Sequence, residues 1–122
     1  LDMGTGSGAI ILTLLAERAG AIGLASDLSQ RALDIARRNA DALGVAERVA
    51  WCACDWWEGI DGRFDLIVSN PPYIAAAEMA DLAPELMHEP RMALTDGGDG
   101  LGAYRIIAGR AAAHRAARMP RR

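Results

Sequence analysis

The sequence predicts an α/β protein built on a doubly wound parallel sheet. Three observations carry this. A strand end, a glycine loop and an apolar helix follow one another at the start of the chain. Strand and helix patterns then run β-α-β-α-β-β-α, the order of a parallel sheet with helices on its faces. Each strand also closes on a polar residue or a glycine: Asp2 and Gly4, Asp27, Asp55, and Asn70. Ligands of such sheets bind outside the carboxyl ends of the strands, so these four ends define one candidate site.

Leu1-Asp2-Met3 reads as the last residues of the first strand. Gly4-Thr5-Gly6-Ser7-Gly8 follows, then the apolar helix Ala9–Ala16, ending near Gly20. Glycines permit the tight turn, and the helix N-terminus offers free N–H groups to an anionic or polar ligand. Residues 21–26 form the second strand, closed by Asp27. Ser29 is a good N-cap for a helix Gln30–Leu43, whose apolar stripe is Ala32, Leu33, Ala36, Ala40 and Leu43, with Ile35 at its edge; Gly44 is the natural stop. Residues 49–54 form the third strand, closed by Asp55, and Trp56-Trp57-Glu58-Gly59 opens a loop. Phe64–Ser69 is apolar and β-branched, and reads as a buried fourth strand. Pro71 and Pro72 then fix φ near −65° and push the residues before them into extended conformations, making a stiff loop that presents Asn70, the Pro71 carbonyl and Tyr73 together. Residues 74–100 read as irregular, apart from a short helix around Ala77–Leu82. Asp99 can cap a final helix over Leu101–Met119, with Leu101, Tyr104, Ile107, Ala108 and Ala111 on its apolar side.

The chain's 122 residues suffice for one domain and one core, and its 52% apolar content argues against disorder. It contains no apolar run long enough for a membrane span and no signal-peptide pattern. Cys52 and Cys54 share one strand face and read as small buried hydrophobes in a reduced, cytoplasmic protein. All 13 basic residues are arginine. Residues 1–104 carry a net charge of −9 and residues 105–122 one of +6. The acidic body argues against strong binding to nucleic-acid phosphates, and the tail arginines read as a solvated face. No metal-ligand pattern is present. His88 and His114 stand isolated and read as surface residues; Glu89 either positions its loop or is solvated.

Two ligand classes suit the glycine loop. Gly4-x-Gly6-x-x-Ala9 meets the looser dinucleotide fingerprint. Asp2, however, would repel a pyrophosphate and suits the cationic amino and sulfonium groups of S-adenosylmethionine. In that second case Asp27 accepts the ribose hydroxyls, while Asp55 and Trp56 frame the adenine. Each also has a plainer role open to it: Asp27 as a turn or capping group, Trp56 and Trp57 as packing.

Taken together, Asp2 to Ile10, Asp27, Asp55-Trp56 and Phe64 to Ile74 resemble the HemK/PrmC-type protein-(glutamine-N5) methyltransferases. Glu89-Pro90-Arg91-Met92-Ala93-Leu94, Gly98-Asp99-Gly100-Leu101 and Tyr104-Arg105 extend the likeness over nearly the whole chain. The resemblance implies the Rossmann-like fold of class I S-adenosylmethionine-dependent methyltransferases, here cut to about four strands of a partial domain spanning 1–122. A preceding helical domain and later strands of the family are absent from these residues. It implies S-adenosylmethionine as cofactor, held by Gly4, Thr5, Gly6, Ser7, Gly8, Asp27, Asp55, Trp56 and Asn70. It implies a protein partner, a peptide-chain release factor, whose Gly-Gly-Gln glutamine meets Asn70, Pro71, Pro72 and Tyr73. Asn70, Pro71 and Tyr73 are the expected catalytic set. A monomer that binds neither nucleic acid nor membrane is expected. If strand order follows the family, the strand bearing Asn70 is an exposed edge beside the stub Leu1–Met3. Three other readings compete with this one: a nucleic-acid amine methyltransferase of the same loop chemistry, a non-catalytic fragment, and a dinucleotide dehydrogenase.

Overall fold

A computed structural model describes residues 1–71, Gly98 and residues 100–117. Four parallel strands form one sheet in the order β3-β2-β1-β4: β1 Asp2–Met3, β2 Gly23–Asp27, β3 Val49–Ala53 and β4 Val68–Ser69. Helices α1 (Ala9–Glu17) and α2 (Gln30–Leu43) pack on one face, and α3 (Gly102–Ala111) on the other. The sheet is therefore doubly wound, as the alternating pattern predicts.

Side-chain alternation along the strands divides the core in two. Ala25 joins Ile11, Leu12, Leu15, Ala40, Val45 and Val49 beneath α1 and α2. Leu1 and Met3 join Trp57 and Ile60 on the opposite face, with Leu24, Phe64, Ile107 and Ala111 packed around them. Asp2, between Leu1 and Met3, necessarily points away from that second cluster.

The second helix matches its sequence signals at both ends. The Ser29 hydroxyl accepts the Ala32 N–H at 3.2 Å, and Gly44 closes the helix at φ 71°. Leu33, Ala36 and Ala40 are its buried stripe; Leu43 is exposed rather than packed. Helix α1 stops at Glu17, and Arg48 caps its far end. That guanidinium donates to the Leu15, Arg18 and Ala21 carbonyls at 2.7–3.0 Å, where the helix dipole is negative.

Two expectations require correction. The predicted strand Phe64–Ser69 is laddered to β1 only at Val68–Ser69; ahead of that ladder the Leu1 amine donates to the Leu66 carbonyl and the Val68 N–H donates to the Leu1 carbonyl, both at 2.9 Å. Leu66 is 56% exposed, so this run is not a buried strand throughout. The predicted helix Leu101–Met119 ends at Ala111 and tightens into a 3₁₀ turn, Ala112–His114. The chain then extends, and Arg115 bridges Phe64 in parallel: the Phe64 N–H donates to the His114 carbonyl at 2.7 Å, and the Ala116 N–H to the Phe64 carbonyl at 2.9 Å. The beginning of the β4 run is thus covered, while β4 itself lies at the sheet edge among the described residues. The inward face of α3 is Ala103, Ile107 and Ala111, at i, i+4 and i+8; Leu101, Tyr104 and Ala108 face outward. The predicted turn of helix at Ala77–Leu82 and the Asp99 cap lie outside the described residues. Among the described residues no helix is long and apolar enough to cross a membrane.

Candidate functional site

The site is built where β1, β2 and β4 end together. Asp2 pairs with Ala25 and Val68, and Met3 with Ser26 and Ser69. One residue further, Gly4 and Asn70 leave the sheet beside Asp27, the last residue of β2. The Ser69 hydroxyl donates to the Met3 carbonyl at 2.7 Å, which ties the Asn70 strand to the base of the glycine loop.

Asp2 is 1% exposed. Its Oδ2 accepts the Thr5 hydroxyl at 2.8 Å, while its buried Oδ1 has no hydrogen-bond partner. Burial pushes this carboxyl above its ordinary range; the Thr5 hydroxyl, the Ile11 N–H and the nearby chain amine pull the other way, and Asp27 adds to the rise. The Ile11 N–H acts on the carboxyl without completing a hydrogen bond to Oδ1, so this buried acceptor stays under-satisfied, and a cationic N–H group would answer that deficit.

The glycine loop is held from three sides. Thr5 N–H donates to the Ser26 carbonyl at 2.8 Å. The Asp27 carboxylate accepts Gly6 N–H through Oδ2 and Ser29 N–H through Oδ1, both at 2.9 Å. Asn39 of α2 donates to the Ser7 carbonyl at 2.9 Å. Asp27 thus combines the turn-forming role with its place at the site, and each oxygen keeps acceptor capacity for a hydroxyl. Gly4 and Gly6 have φ 66° and 57°, and a Cβ on Gly4 would sit 3.5 Å from the Trp56 ring. Gly8 is spent within the fold: its N–H donates to Thr5 and its carbonyl accepts Leu12.

Trp56 is half-buried and is the one non-glycine described residue with positive φ, at 46°. For an aromatic residue that conformation costs about 1–3 kcal/mol and marks a position worth a functional reading. Asp55, exposed, opens the same turn, its carbonyl accepting the Glu58 N–H at 2.9 Å. Trp57 is buried and belongs to the core. Cys52 and Cys54 do share a face, but both are half-buried; burial and the neighbouring Cys52 push the Cys54 thiol up to about 12, away from thiolate chemistry.

Asn70 is exposed one residue beyond β4, and Pro71 is buried behind it. Pro72, Tyr73, His88 and Glu89 lie outside the described residues. His114 corrects the sequence reading: it is buried, and its ring stacks on Trp57 with centroids 4.5 Å apart. Its partner is 57 positions away in the chain, so no local pattern could disclose it. Asn39 was equally silent, a polar residue on a helix face. Among the described residues no cluster of His, Cys, Asp or Glu could hold a metal ion.

Residues 1–112 match the family model of the methyltransferase small domain. A release factor glutamine methyltransferase from Cereibacter sphaeroides is 59% identical over 115 residues, 93% of this chain and 41% of that protein. One from Rhodospirillum rubrum is 53% identical, covering 88% of this chain and 34% of that protein. The chain spans about two fifths or less of these relatives' length. A solved S-adenosylmethionine-dependent methyltransferase from Geobacter sulfurreducens, in complex with S-adenosyl-L-homocysteine, superposes with a TM-score of 0.52 at 29% identity, over 80% of this chain and 37% of that one.

Proposed function

The chain belongs to the methyltransferase small domain family, and from that membership we propose that it is the cofactor-binding part of an S-adenosylmethionine-dependent protein-glutamine methyltransferase. The observation that carries the reading is the orphaned Oδ1 of buried Asp2, set beside Gly4 and one strand from Asn70. A pyrophosphate at this position would meet a buried carboxylate; an ammonium group would complete it. S-adenosylmethionine, when bound, supplies a methyl group on a sulfonium centre.

The residues divide the work. Asp2 holds the amino group of the methionyl part. Gly4 and Gly6 keep the wall of the site free of side chains, and Asp27 takes the ribose hydroxyls. Asp55 and Trp56 frame the adenine. Asn70, with the Pro71 carbonyl and the Tyr73 ring, holds the amide of the acceptor. An amide nitrogen is a poor nucleophile because its lone pair is delocalised. Two acceptors on its N–H groups orient that nitrogen, and they stabilise the positive charge it gains during attack. The proton leaves the product nitrogen without a dedicated base.

The acceptor class, a glutamine of a peptide-chain release factor, is supported by relatives that are release factor glutamine methyltransferases and by the Asn70 loop; the family resemblance of the sequence implies the glutamine of the Gly-Gly-Gln loop. The test is methyl transfer from labelled cofactor by the complete protein, with release factor, RNA and DNA offered separately. Transfer to release factor, abolished by Asn70→Ala while S-adenosylhomocysteine still binds, is the expected result. Transfer to nucleic acid alone would overturn the acceptor assignment, and failure to bind S-adenosylhomocysteine would overturn the cofactor assignment.

A further inference from the structure

Trp56 and Trp57 are neighbours in the chain with divided duties. Trp56 places its ring against Gly4 from a left-handed backbone. Something must hold that backbone where its own preference would not. Two turns close the segment, with Glu58 N–H on the Asp55 carbonyl and Ile60 N–H on the Trp57 carbonyl. The Cys54 thiol donates to the Trp56 carbonyl at 3.6 Å. These contacts are internal to residues 54–60; the start of the segment is fixed on β2 by the Cys54 N–H, which donates to the Asp27 carbonyl at 3.1 Å, and the part beyond Trp56 is held from elsewhere.

That hold comes from the middle of α3 and from the turn that follows it. Trp57 Nε1 donates to the Ile106 carbonyl at 3.0 Å. Its indole stacks on the His114 ring at 4.5 Å and 16°. His114 Nδ1 lies 2.9 Å from the Gly62 carbonyl, so the tautomer protonated there donates to the turn that ends the loop. The His114 carbonyl accepts Phe64 N–H. The pair therefore grips the loop at both ends, from Trp57 to Gly62.

We propose that Trp57 and His114 are positioning residues for the cofactor site, acting through Trp56. Their stack holds residues 55–59 in the backbone conformation that keeps the Trp56 ring over Gly4. The role rests on Trp56 framing the adenine, as proposed above. Neither residue touches the site itself, and both sit on the opposite face of the sheet from α1 and α2.

The test is calorimetric titration of the whole chain with S-adenosylhomocysteine, alongside urea denaturation. His114→Ala removes the stack, and its Kd is expected to rise about three- to tenfold. His114→Phe restores a ring and is expected to recover most of that loss. Val45→Ala, a truncation in the other core cluster, lowers stability and is expected to leave Kd unchanged. If His114→Ala changes Kd no more than Val45→Ala does, the positioning role is wrong while the cofactor assignment stands. If the parent chain binds no S-adenosylhomocysteine, both fall. Should His114→Ala fail to fold, His114→Leu, which fills the space without an aromatic ring, decides by the same comparison.

Discussion

At Asp2 the sign of one pKa shift separates the free protein from its complex. Burial raises this carboxyl from its ordinary 3.8. An acid raised on folding binds its proton more tightly in the native state, so its ionisation destabilises the free fold. That penalty is absent below 3.8, grows as pH rises through the raised value, and is complete above it. A bound ammonium group favours the ionised form and reverses the sign. Affinity for S-adenosylhomocysteine is therefore expected to fall as pH drops through the raised Asp2 value towards the ordinary 3.8, read by calorimetry at a series of pH values. Asp2→Asn keeps an acceptor for Thr5 but carries no charge. It is expected to weaken binding by about 1.5–3 kcal/mol, roughly 10- to 150-fold, and to lose this pH dependence.

Among elements, the loop between β1 and α1 shows that its glycines are not equivalent. A Cβ on Gly8 would lie 2.9 Å from Leu12 Cδ1 and 3.2 Å from Ala36 Cβ, at φ 84°. Gly8 lets α1 and α2 close over the strand ends. A Cβ on Gly6 would meet nothing within 4 Å, at φ 57°. Gly8→Ala is thus expected to cost about 2–4 kcal/mol of stability, from left-handed strain plus overpacking, read as a shift in urea midpoint. Gly6→Ala is expected to cost about 1–2 kcal/mol of stability from strain alone, with a larger relative loss in S-adenosylhomocysteine affinity. The fingerprint spacing marks all three glycines alike. Only the packing of Leu12 and Ala36 separates a structural glycine from one that leaves room for a ligand.

At the scale of the whole chain, β4, which leads to Asn70, lies at the sheet edge among the described residues. β4 has two paired residues, and the start of its run is held by the return of the chain at His114–Ala116. Ending the chain at Ala113 removes two backbone hydrogen bonds to Phe64 and the ring that stacks on Trp57. The expected cost is about 2–4 kcal/mol, seen as a lower urea midpoint at similar slope. If stability is unchanged, the return of the chain contributes nothing to the edge.

What the amino-acid order determined by itself was local. Ser29, the apolar stripe and Gly44 specify α2 to the residue, because caps and periodicity act within a few positions. The parallel sheet and its strand-end candidate site followed from the alternation of elements; Asp27 and Asn70 were marked by their place after apolar runs, and Asp2 by its place before the glycine loop. Tertiary structure decided whatever depends on partners far along the chain. His114 is buried because Trp57, 57 positions earlier, offers it a ring. The last helix stops at Ala111 because Phe64 can use the backbone beyond it. Phe64–Ser69 is laddered at Val68–Ser69, where β1 lies beside it, and bridged at Phe64 by Arg115. Asp2 Oδ1 is an unanswered acceptor only once the fold has removed it from water.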